Sequence, residues 1–155
     1  MKLAIVQIRG IIGLNQKLKD TLKLLKLPKK HSCVLVEENL SIKGMLIKLK
    51  DYVTWGEIDQ ETLQLLLEKR GKLVGGKALT EHYLQEKIHM GFQEFSYALL
   101  EGTKKLKDIP GLKPYFRLKP PVKGFERGGV KLPYSMGGAL GYRKERVNEL
   151  VRRML

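Results

Sequence analysis

Short apolar runs alternate with leucine-rich segments in the N-terminal part of the chain. The apolar runs occupy residues 1–9, 31–37 and 53–55. Aliphatic residues fill consecutive positions of the first run, which is typical of a strand inside a sheet. Leucines at helical spacing predict a helix from the capping residue Asn15 to about Lys26, and a second helix over about 42–49. The order β-α-β-α-β predicts an α+β fold with the helices on one face of a sheet.

The remaining residues, 58–155, form an extension to this predicted core of residues 1–57. Helical spacing predicts helices within 59–102 and a last helix over 143–154. The alternating stretch 115–119 predicts a short strand. We therefore expect the extension to combine helices with segments of extended backbone.

The segment 113–143 has an unusual composition. It contains six glycines, four prolines, seven basic residues, five aromatic residues and one acid, Glu126. Residues 120–142 follow no helical or strand period, and loops of that length are generally functional or disordered. This composition suits RNA, because cations bind phosphates, glycines let the backbone approach closely, and aromatic rings stack on bases. The alternative is a mobile surface loop. With Glu126 as the only acid, we expect the basic side chains to lack internal partners and the segment to order on RNA.

The charge of the chain is large and unevenly distributed. Thirty basic and 16 acidic residues give a net charge of +14, of which residues 103–155 carry +10 and residues 61–102 carry −1. Lysines scattered for solubility would not produce this contrast. A polyanionic partner, either nucleic acid or an anionic membrane surface, explains it better. The apolar runs are too short to span a bilayer.

Residue patterns that carry enzyme chemistry are missing. The one cysteine, Cys33, lies in a predicted buried strand, and the three histidines have no metal-ligand spacing. Residues 71–78 resemble a phosphate-binding loop, but Ala78 replaces the required hydroxyl and a helix precedes the loop instead of a strand. We therefore expect no catalysis, no metal, no cofactor and no small-molecule substrate.

Five motifs, in order, resemble those of one family. They are IVQIRGIIG at 5–13, SIKGMLIKL at 41–49, VTWGE at 53–57, RLKPP at 117–121 and MGGALGYR at 136–143. Together they resemble the L-thirty family of large-subunit ribosomal proteins, whose eukaryotic counterpart is called L-seven. The last two motifs are similar to those of archaeal members, and the resemblance covers essentially the whole chain.

The resemblance implies a ferredoxin-like fold with a three-stranded antiparallel sheet and a structural role in the large ribosomal subunit, in the cytoplasm. The implied partners are large-subunit rRNA, 5S rRNA near its attachment region, and neighbouring ribosomal proteins. By matched motif it implies RNA contacts at Arg9, the 10–13 loop, Lys43, Gly44 and Lys48. A glycine inside a helix costs about 0.5–1 kcal/mol relative to alanine. A close approach of the Gly44 backbone to RNA or to a neighbouring strand would explain that cost.

Composition and resemblance together give one set of candidate RNA-binding residues. They are Arg9, Gly10, Gly13, Lys17, Lys43, Gly44, Lys48, Lys113, Arg117, Lys119, Lys123, Phe125, Arg127, Lys131, Tyr134, Tyr142 and Arg143. Two other functions compete with this interpretation. One is a free RNA chaperone or regulator. The other is a ferredoxin-like small-molecule sensor, which would need a polar pocket and would have no use for residues 113–143.

Overall fold

The computed structural model describes residues 2–155, so Met1, part of the predicted first strand, lies outside the described residues. In chain order the elements are β1 (Lys2–Gln7), α1 (Gln16–Leu24), β2 (Ser32–Glu37), α2 (Leu40–Leu49), β3 (Val53–Glu57), α3 (Gln60–Arg70), α4 (Glu81–Ile88), α5 (Phe92–Glu101), β4 (Phe116–Arg117), β5 (Gly141–Tyr142) and α6 (Val147–Met154). The predicted α+β class and the β-α-β-α-β order are confirmed.

The strands form one mixed sheet in the order β4-β2-β1-β3-β5. The central strand β1 pairs antiparallel with both β2 and β3, so that Val6 lies opposite Cys33 on one side and Thr54 on the other. This sheet is larger than the three strands predicted, because the extension adds one strand at each edge. β4 pairs antiparallel with β2, and β5 pairs parallel with β3.

Both faces of the sheet are covered, which explains why β1 is apolar at consecutive positions. Leu3 and Ile5 belong to the hydrophobic cluster under α1 and α2, whereas Ala4 and Val6 belong to the cluster under the extension. The first cluster includes Leu22, Leu46 and Leu49, and the second includes Leu66, Phe95 and Val151. The extension therefore packs on the face of the sheet opposite to the two N-terminal helices. Truncating one such leucine to alanine typically costs about 2–5 kcal/mol.

Three helices begin after polar capping residues, as the sequence predicts for Asn15. The side chains of Asn15, Asp59 and Thr80 each accept a backbone N–H bond from the first turn of the helix that follows. These bonds satisfy donors that have no partner within the helix. The first helix ends at Leu24, earlier than predicted, because Lys26 adopts a left-handed conformation with φ of 59°.

Residues 118–140 form a strap that leaves the sheet after β4 and returns to it at β5. Backbone hydrogen bonds tie the strap to α6 and to itself. Two of its glycines allow close contacts within the strap. A Cβ on Gly128 would lie 2.7 Å from the carbonyl oxygen of Gly137, and one on Gly138 would lie 2.1 Å from that of Leu132. These glycines therefore serve the folding of the strap itself.

Candidate nucleic-acid interface

The register of the sheet brings several loops together at one end. β2 and β3 both begin beside the end of β1, because both pair antiparallel with it. β4 ends beside the start of β2, and β5 begins beside Thr54, near the start of β3. The strap therefore starts and finishes at this end as well. We call it the basic end, and define it as residues 9–15, 28–31, 50–52 and 118–140.

Positive charge is concentrated at the basic end. Its residues include eight Lys or Arg and two Asp or Glu, which are Asp51 and Glu126. The opposite end of the sheet, where β1 begins, carries charges of both signs. Glu37, Glu38 and Glu57 lie at or just after the ends of β2 and β3, and Lys2 and Lys43 pair with Glu37 and Glu38. A polyanion is therefore attracted to one end of the molecule in preference to the other.

Arg9 lies where the first of these loops leaves β1. Its guanidinium stands over the ring of Tyr52, 5.1 Å from the ring centroid, and donates to the carbonyl oxygen of Asp51 at 3.3 Å. Both contacts hold the side chain in place, and neither the Tyr52 ring nor the backbone carbonyl group neutralises its charge. Arg9 is thus positioned as a cation with its charge available.

The loop 10–13 presents open backbone beside Arg9. In the part of the chain that the structure describes, nothing lies within 4 Å of the position that a Cβ would take on Gly10 or Gly13, and Gly13 has φ of +76°. Ile12, between them, is 97% exposed. The loop tip thus offers an apolar side chain and backbone that a partner can approach closely.

Four cations recur every four residues along the strap. They are Lys119, Lys123, Arg127 and Lys131, and all are exposed. Within residues 2–155 none of them has an ion-pair partner. Three further predicted residues adjoin the basic end: Lys17 at the start of α1, Lys48 at the end of α2 and Arg117 at the end of β4.

The two aromatic residues predicted to stack on bases are partly used by the fold. Phe125 is half-buried against the hydrophobic cluster of the extension, and its ring centroid lies 6.1 Å from that of His31. The ring of Tyr134 lies under the guanidinium of Arg143, 4.7 Å from the centroid. Stacking of RNA bases on these rings stays a prediction.

Arg143 does not lie at the surface, and its assignment as an RNA contact needs correction. It is 2% exposed. Its Nε donates to Thr54 Oγ1, its Nη1 to Glu126 Oε1 and its Nη2 to the Ala139 carbonyl oxygen, at 2.7–2.8 Å. The expectation that basic residues of this segment lack internal partners is therefore wrong for Arg143. It joins the strap to β3 instead.

The carboxylate of Glu126 completes this anchor. Burial opposes its ionisation, but hydrogen bonds from Arg143 and the positive charges of Arg143 and Arg153 outweigh burial and hold the pKa of Glu126 below its ordinary value. Arg153, on α6, lies 3.6 Å from the same carboxylate. One of the two acids at the basic end is thus already neutralised within the protein.

Four predicted residues lie away from the basic end. Lys43 and Gly44 are on the exposed side of α2, and Lys43 pairs with Glu38 at 2.8 Å. Tyr142 lies on the edge strand β5, where its hydroxyl donates to Glu57. Lys113 is half-buried, and precedes β4. The structure does not bring these four together with the loops of the basic end.

Sequence reasoning missed three cations at the basic end. Lys29 and Lys30 precede β2 and Lys50 precedes β3, and all three are exposed. They belong to no motif and to no unusual segment. The antiparallel pairing of β2 and β3 with β1 was the available signal, because it predicts that the loops before those strands meet the loop after β1.

Three features typical of other functions are a metal cluster, a membrane-spanning helix and a reactive thiol. Within residues 2–155 no three His, Cys, Asp or Glu side chains cluster as a metal site would require, and no helix is long and apolar enough to cross a membrane. Burial raises the pKa of the Cys33 thiol to about 12, so this thiol is not a nucleophile at neutral pH.

The fold and the basic end define an α+β protein with a surface suited to a polyanion. The sequence model of the family described as "Ribosomal protein L30p/L7e" matches residues 3–53. Similar proteins extend the match over the rest of the chain. A large ribosomal subunit protein uL30 of Methanopyrus kandleri is 48% identical, covering 95% of this chain and 99% of its own.

Two other archaeal relatives give the same result. The uL30 protein of Methanococcus vannielii is 46% identical over the full length of both chains. That of Nanoarchaeum equitans is 45% identical over 98% of this chain and 97% of its own. The chain therefore belongs to the L30p/L7e family of ribosomal proteins.

Proposed function

We propose that this chain is a structural constituent of the large ribosomal subunit and that its basic end binds large-subunit rRNA. Archaeal uL30 proteins that match 95% or more of the chain support the role in the subunit. One observation carries the RNA contact: the register of the sheet gathers eight cations and two acids at one end. The role is structural, without a catalytic step.

Binding at the basic end relies on phosphates and on shape. Exposed Lys and Arg side chains neutralise phosphates and release counterions, which gives affinity without reading the base sequence. The loop 10–13 adds bare backbone and the exposed Ile12, which fit an irregular RNA surface. Because both faces of the sheet are covered, the strands hold these loops in fixed relative positions.

The proposed partners are large-subunit rRNA and neighbouring proteins of the subunit, in the cytoplasm. A position near the attachment region of the 5S rRNA is part of the proposal and rests on the family resemblance. The second candidate, a free RNA chaperone, would use the same basic end. It would differ in leaving the ribosome when the RNA has folded.

Co-sedimentation separates these two functions. Tagged protein expressed in the source cells should sediment with large subunits, near one copy each, and should stay bound after a high-salt wash. A structural constituent resists that wash because its contacts are enclosed by the assembly. Release from subunits by moderate salt, with retained binding to naked rRNA, would support the chaperone instead. A ribosomal protein of established stoichiometry serves as the internal control.

A further inference from the structure

A groove lies between α2 and the edge of the sheet formed by β3 and β5. Its volume is about 350 Å³, within the range of pockets that bury a ligand. Ile47 of α2 forms one wall, and the rings of Trp55 and Tyr142, whose centroids are 6.3 Å apart, form the other. Ile47 is 67% exposed and Tyr142 is 46% exposed. The groove is thus an apolar surface that this chain leaves uncovered.

The rim of the groove is acidic. Glu38 and Glu57 line it together with a single cation, Lys43, which already pairs with Glu38. Glu57 also lines an adjoining hollow of about 770 Å³, where the acids Asp59, Glu145 and Glu149 outnumber the cations Arg152 and Arg153. Within residues 2–155 neither Glu145 nor Glu149 has an ion-pair partner.

The pKa of the Tyr142 hydroxyl reflects the same negative charge around the groove. A hydrogen bond to Glu57, partial burial and the charges of Glu57, Glu38 and Glu145 raise the pKa of the Tyr142 hydroxyl to about 12. Glu57 contacts the hydroxyl directly, and Glu38 and Glu145 lie near enough for their charges to act on it. An approaching phosphate would meet them at close range, whereas an approaching ammonium or guanidinium group would be attracted.

Gly44 provides a second indication of a partner on this side of α2. It lies one helical turn from both Leu40 and Ile47, and Leu40 is 88% exposed. Among the described residues 2–155, nothing outside the helix itself lies within 4 Å of the position that a Cβ would take on Gly44. No neighbouring strand therefore explains a glycine inside this helix. The backbone of a partner that docks on α2 would explain it.

We propose that this groove binds a basic segment of a neighbouring protein of the large subunit, in which Lys or Arg residues flank an apolar side chain. The apolar side chain fills the groove between Ile47 and the two rings. The flanking cations lie against Glu38, Glu57 and Glu145. This inference rests on the proposed function, because it takes the partner from the assembled subunit.

Photocrosslinking within assembled subunits tests the proposal. The protein with Ile47 replaced by p-benzoylphenylalanine is reconstituted into large subunits depleted of the native protein, and incorporation is measured first. Irradiation should then link position 47 to one Lys- or Arg-rich peptide of one ribosomal protein, identified by mass spectrometry. The same photoprobe at Tyr97, exposed on α5, controls for non-specific capture.

Charge reversal supplies the matched control for electrostatics. Glu38→Lys should reduce the crosslink from position 47 several-fold, and Glu68→Lys, an exposed change on α3, should leave it unchanged. A crosslink to rRNA or to an acidic peptide would overturn the proposal, and so would efficient incorporation without any crosslink. Failure to incorporate at all would instead count against the proposed function, so the two failures are distinguishable.

Discussion

At the scale of single residues, Arg143 holds the irregular strap on the sheet. Its guanidinium contacts Glu126 and Ala139 of the strap and Thr54 of β3. A buried ion pair is not necessarily stabilising compared with apolar residues, but removing one partner leaves the other charge uncompensated. The strap therefore depends on this one side chain more than on any of its exposed cations.

Replacing Arg143 by methionine should lower the free energy of unfolding by about 3–5 kcal/mol, the range for breaking a buried ion pair. Urea denaturation of the purified protein measures this. Arg127→Met, an exposed change in the same strap, should shift stability by no more than about 0.5 kcal/mol. Equal effects of the two substitutions would show that Arg143 does not anchor the strap.

The depressed pKa of Glu126 gives a dependence of stability on pH. A carboxyl group whose pKa is lower in the folded than in the unfolded state stabilises the fold above its ordinary pKa of 4.5. That contribution is lost as the pH falls through the folded value. The stability difference between the wild type and Glu126→Gln should therefore shrink from pH 6 to about pH 3. A difference that stays constant over this range would contradict the proposed pairing.

At the scale of elements, two glycines illustrate opposite constraints. Gly56, in β3, lies against the turn that precedes α6, and a Cβ there would lie 1.9 Å from the carbonyl oxygen of Lys144. Gly44, in α2, has open space at the equivalent position. The first glycine is required by the fold of the chain, and the second is not.

Alanine at these two positions should therefore have opposite effects. Gly56→Ala should destabilise the protein by about 3 kcal/mol, because backbone must move to admit the new atom. Gly44→Ala should stabilise the free protein by about 0.5–1 kcal/mol, because alanine favours a helix. Thermal denaturation of both variants gives the comparison. A destabilised Gly44→Ala would mean that α2 needs glycine for its own packing.

Much of the element order could be predicted because its signals are local. Three helices follow residues whose side chains favour capping, which are Asn15, Asp59 and Thr80. β1 is apolar on both of its faces, and it is central in the sheet as that pattern predicts. The alternating stretch 115–119 predicts a strand where β4 lies, but its pairing with β2 could not be predicted because it depends on a distant partner. β5 has only two residues, too few to show a period, and its pairing with β3 is also distant in sequence.

The candidate interface was less predictable, because composition does not distinguish a surface cation from a buried one. Arg143 has the sequence context of an RNA contact, and only its tertiary partners show that it is structural. Lys29 and Lys30 carry no motif, and the register of the sheet places them at the basic end. The division into a core of residues 1–57 and an extension stays a prediction.

At the scale of the whole molecule, charge and topology act together. The loops that meet at the end of β1 are basic, whereas Glu37, Glu38 and Glu57 lie near its beginning. Such a polarised molecule can meet RNA at one end and a basic protein segment at the other. We propose that the first of these ends makes the phosphate contacts.

The salt dependence of RNA binding tests that claim most directly. Each phosphate contact contributes about 0.7–0.9 to the slope of log affinity against log salt concentration. Replacing Lys29 and Lys30 by glutamine should therefore make the slope shallower by about 1.5 and weaken binding to a large-subunit rRNA fragment. Lys105 and Lys107, an exposed pair beside Lys2 and Glu37 at the opposite end, are the matched control.

Both double variants change the net charge equally, so a uniform effect of charge would alter both slopes alike. We expect a shallower slope for the Lys29 and Lys30 variant and an unchanged slope for the Lys105 and Lys107 variant. Equal slopes for the two variants, or a change confined to Lys105 and Lys107, would contradict the assignment of RNA binding to the basic end.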